Sequence, residues 1–403
     1  MRKMIPWKEA MALLADLPAT PRVETVPPEA ALGRVLAEDV HAAFPMPPFP
    51  KSPFDGFALD AADAPGTLPV SLVIPAGERE RPVLAPGTAA RIFTGGPVPL
   101  GANVVIKQED TVYDDHQVTL SAPLTPHTNV VEIGEDYPAG AKLAAKGDKL
   151  TPAQMGLLAS QGLGAVAVYR RPRAAILSTG SELFAPGTDR APCGIYNSSY
   201  YTLRGYLEAM GFSVAPPRLV PDELEKITGE IQAALDSGAD LVLTTGGASV
   251  GDYDFALEST RRLGAEVLFW KVGMKPGAAL LVSRVGDKGL IGLSGNPAAA
   301  LMSVLTVLQP YLRHLTGQSW QREEMTLPLL EPMPKTARVT RALRGHLRLV
   351  EGKGYFEENQ GRGNGNLRSF GSCSMIALIP PDSGPLEAGH PVTVLPLPED
   401  LRF

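Results

Sequence analysis

The period of apolar and polar positions changes several times along the chain, and each change marks a boundary. Behind Pro6, the residues Trp7, Met11 and Leu14, with Leu13 and Leu17, form one helical stripe, so the spacing predicts a helix over 7–17. A second helix is predicted over 28–39. Proline then occupies positions 45, 47, 48, 50 and 53, which no regular element crosses, and the segment reads as an extended connector. From there to about Gly140, β-branched runs at 70–74, 104–106 and 118–120 alternate with Gly/Pro turns, predicting short strands. Helical character returns at Thr151-Pro152-Ala153-Gln154, a capping-box pattern whose helix runs to Gln161 and stops at Gly162. A β-rich stretch bracketed by helical pieces reads as an inserted domain.

From Arg173 the pattern alternates between buried strands and amphipathic helices. Strands are predicted at 174–178, 213–215, 240–244, 267–270, 280–283 and 290–293, and helices at 199–210, 222–236, 253–262 and 297–315. This is βαβ grammar, which predicts a doubly wound, mainly parallel sheet covered on both faces. Beyond Pro328 short strands and turns return, and the last 75 or so residues read as a small β-barrel or sandwich. The fold class is therefore multi-domain α/β plus β.

Composition sharpens this picture. The 41 Gly and 39 Pro make about a fifth of the 403 residues, against roughly 12% in average usage, so turns and backbone-lined loops outweigh long helices. A formal charge of −6 gives no global case for nucleic-acid binding. Two cysteines, Cys193 and Cys373, make no disulfide framework or zinc pair. The longest nearly unbroken apolar run, 298–308, is about half a membrane span, and Glu9 and Asp16 interrupt the amino terminus before a signal-peptide core develops. No membrane partner and a cytoplasmic location are expected.

Ligands of an open parallel sheet bind beyond the carboxyl ends of its strands, which directs attention to three junctions. Ser178-Thr179-Gly180-Ser181-Glu182 is a small-residue turn with one carboxylate. Thr245-Gly246-Gly247-Ala248-Ser249-Val250-Gly251-Asp252-Tyr253-Asp254 carries three glycines and then two acids. Ser294-Gly295-Asn296-Pro297 opens a helix whose first N–H groups and positive dipole end suit an anion. Three such loops at one sheet end fit a multi-phosphate or otherwise extended anionic ligand. Carboxylates beside them call for a hard cation, and Glu182, Asp222 and Asp254 offer oxygens to Mg²⁺; the alternative that Asp222 and Asp252 are helix N-caps stays open. Lys271 and Lys275 offer point charges for an oxyanion. Arg338, Arg341, Arg344 and Arg348 read as a charged strand face. In the β-rich insertion, Asp55-Gly56 follows the proline arm, Thr94-Gly95-Gly96-Pro97 is a further backbone-lined loop, and Gly134-Glu135-Asp136 closes the insertion with two acids.

The ordered set SPFDGFA (52–58), TGGPVP (94–99), GED (134–136), STGSEL (178–183), TTGGASVGDYD (244–254), FWKVGMKPG (269–277) and GLSGNP (292–297) closely resembles the molybdopterin molybdenumtransferase family, MoeA, which includes the gephyrin E domain. The resemblance covers nearly the whole chain. It implies insertion of molybdate into adenylylated molybdopterin with Mg²⁺ assistance, releasing AMP and giving molybdenum cofactor. It further implies an elongated homodimer, with the active site between the α/β domain of one subunit and the insertion of the other. The implied domains are a MogA-like α/β domain (1–20 and 172–322), a small linking domain (21–39 and 141–171), the β-rich insertion (40–140) and a carboxyl-terminal β-barrel (323–403). Molybdopterin adenylyltransferase and downstream molybdoenzyme maturation proteins are the implied partners.

Carried across by motif, the family's acidic set falls on Asp55, Asp136, Glu182, Asp222 and Asp254, its insertion threonine on Thr94 and its lysines on Lys271 and Lys275. The ligand loops fall on Ser178, Thr179, Gly180, Ser181, Gly246, Gly247, Ser249, Gly251, Gly295, Asn296 and Pro297. There are departures. Val131 stands where many members have arginine, Ala278 replaces the second lysine of KPGKP, and Ser294 replaces a proline. Fewer cations hold an oxyanion less tightly, which motivates two further readings: a weakened paralogue acting as a molybdopterin-binding or scaffold protein, and a tungstate-inserting homologue.

Overall fold

The computed structural model describes residues 2–246, 255–359 and 366–397, and the chain divides into two units. One comprises Met1–Ala37, Gly147–Thr151 and Ala165–Phe403, the other Glu38–Lys146 and Pro152–Gly164.

In the larger unit, β1 (Arg2–Pro6), β2 (Arg173–Thr179), β3 (Ser213–Val214), β4 (Arg218–Val220), β5 (Leu241–Thr245), β6 (Glu266–Lys275), β7 (Leu280–Val285) and β8 (Lys288–Leu293) share one sheet. Both β3 and β4 pair with β2, and the order continues β2, β5, β8, β7, β6, β1. All pairs are parallel except those of β7, which the tight turn at Gly286 and Asp287 folds back on β8. β1 was not expected from the sequence, because five residues ending in proline show no alternation.

Alternate residues of the central strands are buried on opposite faces, the signature of a doubly covered sheet. Ala174, Ile176, Leu241, Leu243, Ile291 and Leu293 face α1 (Trp7–Leu13), α2 (Ser198–Ala209) and the helical run opened by α5 (Pro297–Ser303). Ala175, Leu177, Val242 and Leu290 face α3 (Leu224–Asp236), whose Ile227, Ile231, Ala234 and Leu235 recur at helical spacing. On α4 (Phe255–Arg262), Ala256 and Leu257 pack with Trp270 and Leu281.

The expected 297–315 helix is present but widens into a π turn at Val304–Leu308 before Gln309–Leu315. The cause is Pro310, which has no N–H to give the carbonyl four residues earlier. That carbonyl, Thr306 O, accepts instead from Trp7 Nε1 at 3.3 Å and Arg322 Nη1 at 2.9 Å. The predicted 7–17 helix ends early, in a 3₁₀ turn at Leu14–Asp16. The predicted 28–39 helix does not form. Pro28–Ala30 makes one 3₁₀ turn, Gly33 turns left-handed at φ +71°, and the N–H groups of Leu36 and Ala37 go to Asp148 O and Ala167 O.

After the helices, Lys353–Glu358, Thr340–Val350, Met375–Ile379, Pro391–Pro396 and Met325–Pro328 pair antiparallel in that order. The bridge between Leu329 and Phe356 joins the two ends, so this is the barrel expected, filled by Leu329, Leu343, Phe356, Ala377 and Val394. Its strand Thr340–Val350 also pairs with the end of β6, making barrel and α/β sheet continuous. Within the arginine run, Arg344 corrects the reading of a charged face: it is buried, over the Phe370 ring at 5.3 Å and donating to Asn366 O.

The smaller unit is built on a six-stranded sheet in the order Val104–Lys107, Gly56–Leu59, Ala89–Ile92, Gly66–Ile74, Gln117–Leu120 and Val112–Tyr113. The helix Pro152–Ser160 belongs to this unit, tied by Ser160 Oγ to Tyr137 Oη at 2.7 Å and by Gln161 Oε1, which accepts from the Ala43 N–H at 2.8 Å.

In the barrel, a methyl group on Gly345 would fall 2.3 Å from Glu357 O and 2.4 Å from the Phe356 ring, whereas one on Gly384 meets nothing within 4 Å. Gly345→Ala is therefore expected to lose about 1–3 kcal/mol, the cost of overpacking, and Gly384→Ala close to none. Thermal unfolding of both variants checks this; equal midpoints would contradict it.

Candidate functional site

The connections out of β2 and into β5 place the reversal of strand order between these neighbours. β2 leads through α2 to β3 and β4 on one side, and β4 leads through α3 to β5 on the other. Their carboxyl ends therefore flank the crevice where open α/β sheets bind ligands. There the chains touch backbone to backbone. A Cβ on Gly246, at φ +98°, would lie 2.6 Å from both Thr179 O and Thr179 Oγ1, and one on Gly295 would lie 3.4 Å from Gly246 Cα. Thr179 Oγ1 donates to Thr245 O at 3.1 Å, and Gly246 N donates to Leu293 O at 3.2 Å. The three loops expected at one sheet end are thus in contact in their described parts. Gly247, Ser249, Gly251, Asp252 and Asp254 lie outside the described residues.

One carboxylate belongs to the first turn, and a second reaches it from the end of β4. Gly180 N donates to Val220 O at 3.1 Å, which brings the β4 end alongside. Glu182 folds back so that its Oε2 is 2.6 Å from where a Gly180 Cβ would be, and Ser181 N donates to Asp222 Oδ2 at 3.2 Å. The N-cap of α3 is Glu223, so Asp222 is not the cap. Ser181 and Glu182 are exposed. Ser178 is fully buried, and its hydroxyl donates to Asn197 Oδ1 at 3.3 Å; the same oxygen accepts from Tyr200 N as the α2 cap. Ser178 and Thr179 therefore spend their hydroxyls holding the turn. Asn197 was overlooked in the sequence, although Asn before Ser198-Ser199 is an N-cap signal.

The third loop corrects an expectation. Asn296 Oδ1 accepts from Ala298 N at 3.0 Å and Ala299 N at 3.2 Å, and Ala300 N donates to Asn296 O at 2.9 Å. The N–H groups expected to be free for an anion are engaged, because Asn before a first-turn proline is itself an effective cap. Next to this helix start, Gly277 turns at φ +103°, and its carbonyl accepts from Ser303 Oγ at 3.1 Å. Lys275 before it is exposed, whereas Lys271 is 8% exposed with φ +71°.

In the smaller unit the proline arm gathers the other motifs. Lys51 bridges to Pro97 and Val131, Ser52 exchanges main-chain bonds with Gly95 and Gly96, and Asp136 N donates to Met46 O at 3.0 Å. Asp55 Oδ1 accepts from Thr94 N at 2.8 Å and Thr94 Oγ1 at 2.7 Å. Those two bonds, the backbone one first, hold the Asp55 carboxyl below its ordinary range, and the positive charge of Arg91 acts in the same direction. The Asp136 side chain is exposed, with its backbone fixed on the arm. Ser52 is buried at the root of this cluster, a role the sequence does not reveal because nothing local distinguishes it from a turn serine.

A hard cation suits the first turn. Mg²⁺ typically takes one or two carboxylates together with substrate phosphates and waters; Glu182 supplies one from the turn and Asp222, bonded to Ser181 N, one from the end of β4. Among the described residues, no group of three His, Cys, Asp or Glu forms a closed metal cage.

Comparison with known proteins agrees along the chain. Residues 5–162 match the MoeA N-terminal region (domain I and II), 175–314 a probable molybdopterin binding domain, and 326–397 the MoeA C-terminal region (domain IV). The chain is 33% identical over 416 residues to the molybdopterin molybdenumtransferase of Bacillus subtilis, covering 99% of this chain and 95% of the relative. It is 30% identical over 402 residues to that of Staphylococcus aureus strain COL, covering 98% and 96%. The crystal structure of a molybdopterin biosynthesis MoeA protein from Pyrococcus horikoshii superposes with a TM-score of 0.84 at 27% identity, over 98% of this chain and 99% of that one.

Thr94→Val removes one of the two donors to Asp55. The Asp55 carboxyl is expected to titrate at higher pH in the variant while staying below the ordinary carboxylate value, because the Thr94 N–H remains. Carbon-detected NMR titration reads this directly, and an unmoved Asp55 would show that the hydroxyl bond is not made.

Proposed function

The chain belongs to the molybdopterin molybdenumtransferase (MoeA) family, and we propose that it inserts molybdate into adenylylated molybdopterin, cleaving the phosphoanhydride and releasing AMP. Its place as a transferase of molybdenum cofactor biosynthesis rests on full-length relatives. The finer reading rests on one observation: Glu182 on a backbone-lined turn at the switch point of the sheet, with Asp222 bonded to the same turn from the end of β4. Such a turn suits a ligand that is anionic and extended, as a pterin phosphate joined to AMP is.

In this reading Glu182 and Asp222 hold Mg²⁺, with Asp254 contributing by its place in the sequence. When bound, Mg²⁺ neutralises charge on the phosphoanhydride. The close approach of Thr179, Gly246 and Gly295 leaves these strand ends lined by backbone rather than side chains, and the phosphoanhydride would lie beyond them. Lys271 and Lys275 attract molybdate. In the smaller unit Asp55, kept ionised by Thr94, and Asp136 serve the same reaction as fixed negative charges. A homodimer is part of the proposal, as are a molybdopterin adenylyltransferase as supplier of the substrate and molybdoenzyme maturation proteins as recipients. None of the helices among the described residues is long and apolar enough to cross a membrane.

Purified protein given adenylylated molybdopterin, Mg²⁺ and molybdate is expected to release AMP and to stop when Mg²⁺ is chelated. Glu182→Ala and Asp222→Ala are expected to lower turnover by about 100-fold or more, the usual size of losing a preorganised charge contact in a catalytic site, with unfolding midpoints near wild type because neither residue is buried. AMP release absent from the wild-type protein would leave a binding or scaffold role, and faster release with tungstate would reassign the oxyanion. Light scattering is expected to give twice the chain mass; a monomer that turns over would remove the dimer from the proposal.

A further inference from the structure

Glu182 stands on a stretch of chain without a core of its own: Ser181 and Glu182 are exposed, and the carboxyl folds back over Gly180. A side chain so placed keeps one position only if the backbone on either side of it is fastened. Asn197 fastens both sides. Its Oδ1 accepts from Ser178 Oγ at 3.3 Å, four residues before Glu182, and its N–H donates to Phe184 O at 2.9 Å, two residues after. Ile195 N donates to Glu182 O itself at 2.9 Å. Ser181, whose N–H holds the Asp222 carboxylate, lies inside the same span.

The fastening has a firm base. Asn197 is 3% exposed and caps α2, its Oδ1 also accepting from Tyr200 N at 3.2 Å. Tyr200 is fully buried, and its hydroxyl donates to Ala215 O at 2.8 Å. On the other side, Leu183–Phe184 pairs in parallel with Ile195–Tyr196. Gly194 permits this pairing, since a Cβ there would fall 2.4 Å from the Phe184 ring. The excursion between the paired segments closes on itself: Arg190 Nη1 donates to Pro192 O at 3.2 Å and Gly194 O at 3.1 Å, and Tyr196 Oη donates to Thr188 O at 3.0 Å. The chain thus leaves Glu182, makes a self-contained loop and returns to the residue that holds the turn.

We infer that Asn197 is the positioning residue of the carboxylate pair, acting through the turn rather than on substrate: it sets where Glu182 and, by way of Ser181, Asp222 present their oxygens to a divalent cation. Partners of this outer kind are worth about 10-fold to 100-fold in metal affinity or activity. That the cation is the Mg²⁺ of the transferase reaction rests on the reading given above; the fastening of the turn does not.

Three measurements on the full-length protein test it: amide hydrogen exchange of residues 180–184, Mn²⁺ binding followed by electron paramagnetic resonance, and the Mg²⁺ dependence of AMP release. Asn197→Gly removes Oδ1 while leaving a residue that helix starts tolerate. It is expected to speed exchange in the turn and to weaken Mn²⁺ binding about tenfold. The Mg²⁺ needed for half-maximal turnover rises by the same factor, with kcat near wild type at saturating Mg²⁺. Asn197→Asp keeps the acceptor oxygen and is expected to restore all three. Ser178→Ala, which leaves the cap intact, moves them in the same direction as Asn197→Gly and covers the case in which the glycine variant unfolds. Arg204→Ala, which removes an exposed ion pair with Glu208 on α2, is expected to change none of them. A role confined to stability would lower kcat through lost active protein and leave the Mg²⁺ dependence unmoved. Wild-type exchange or wild-type Mn²⁺ affinity in Asn197→Gly and Ser178→Ala, or no Mn²⁺ binding by the wild-type protein, overturns the inference. Mn²⁺ binding that depends on Asn197 without AMP release overturns the transferase reading and leaves the positioning role standing.

Discussion

At the carboxyl ends of β2, β5 and β8, the main chains of Thr179, Gly246 and Gly295 meet with no side chain between them, and the rest of the larger unit is arranged around that contact. A Cβ at Gly246 would overlap Thr179, so the three strand ends approach this closely only because glycine is there. The approach turns three separate loops into one surface lined by backbone. It also explains why Thr179 and Ser178 use their hydroxyls inward, on Thr245 and Asn197: the turn has to be held before Glu182 and Asp222 can present charge at a fixed place.

The second constraint is β6. Its first half lies between β1 and β7, and its last two residues pair with Thr340 and Arg341 of the barrel. One strand thus joins the α/β sheet to the barrel and carries Lys271 and Lys275 between them. The left-handed turn at Lys271 and the bulge near Val267 show that this strand bends in the course of doing both. Close by, the helix from Pro297 is shaped by Pro310, whose missing N–H frees the Thr306 carbonyl for Trp7 and Arg322. Two parts of the chain distant in sequence are fastened by a hydrogen bond the helix itself cannot make.

In the smaller unit the proline arm has the same organising role that the strand ends have in the larger one. Prolines prevent residues 45–53 from joining a sheet fully, yet single bridges from Lys51 and backbone bonds from Met46 and Ser52 collect the loops around 94–97 and 131–136. Asp55 then meets Thr94 across 39 residues of sequence. A stiff segment loses little conformational entropy on ordering, which suits it to holding loops that have no core of their own.

What the sequence determined on its own was whatever depends on local period and composition. Alternating buried strands and helices after Arg173, the β-rich insertion, the terminal barrel, the glycine loops at strand ends and the ordered motifs of the family were all legible, because burial period and turn chemistry act over a few residues. Tertiary structure alone decided matters that turn on partners far along the chain. Residues 28–39 have helical spacing but Leu36 and Ala37 give their N–H groups to Asp148 and Ala167, and Arg2–Pro6 became a strand only because β6 offers an edge. Asn296 read as the start of an anion site and instead caps its own helix, while Asp222 read equally as a cap and instead bonds Ser181. The meeting of Lys3 with Trp270 and Lys271 was invisible, since it needs both the register of two strands whose paired residues lie 267 apart in the chain and a backbone angle that no periodicity encodes.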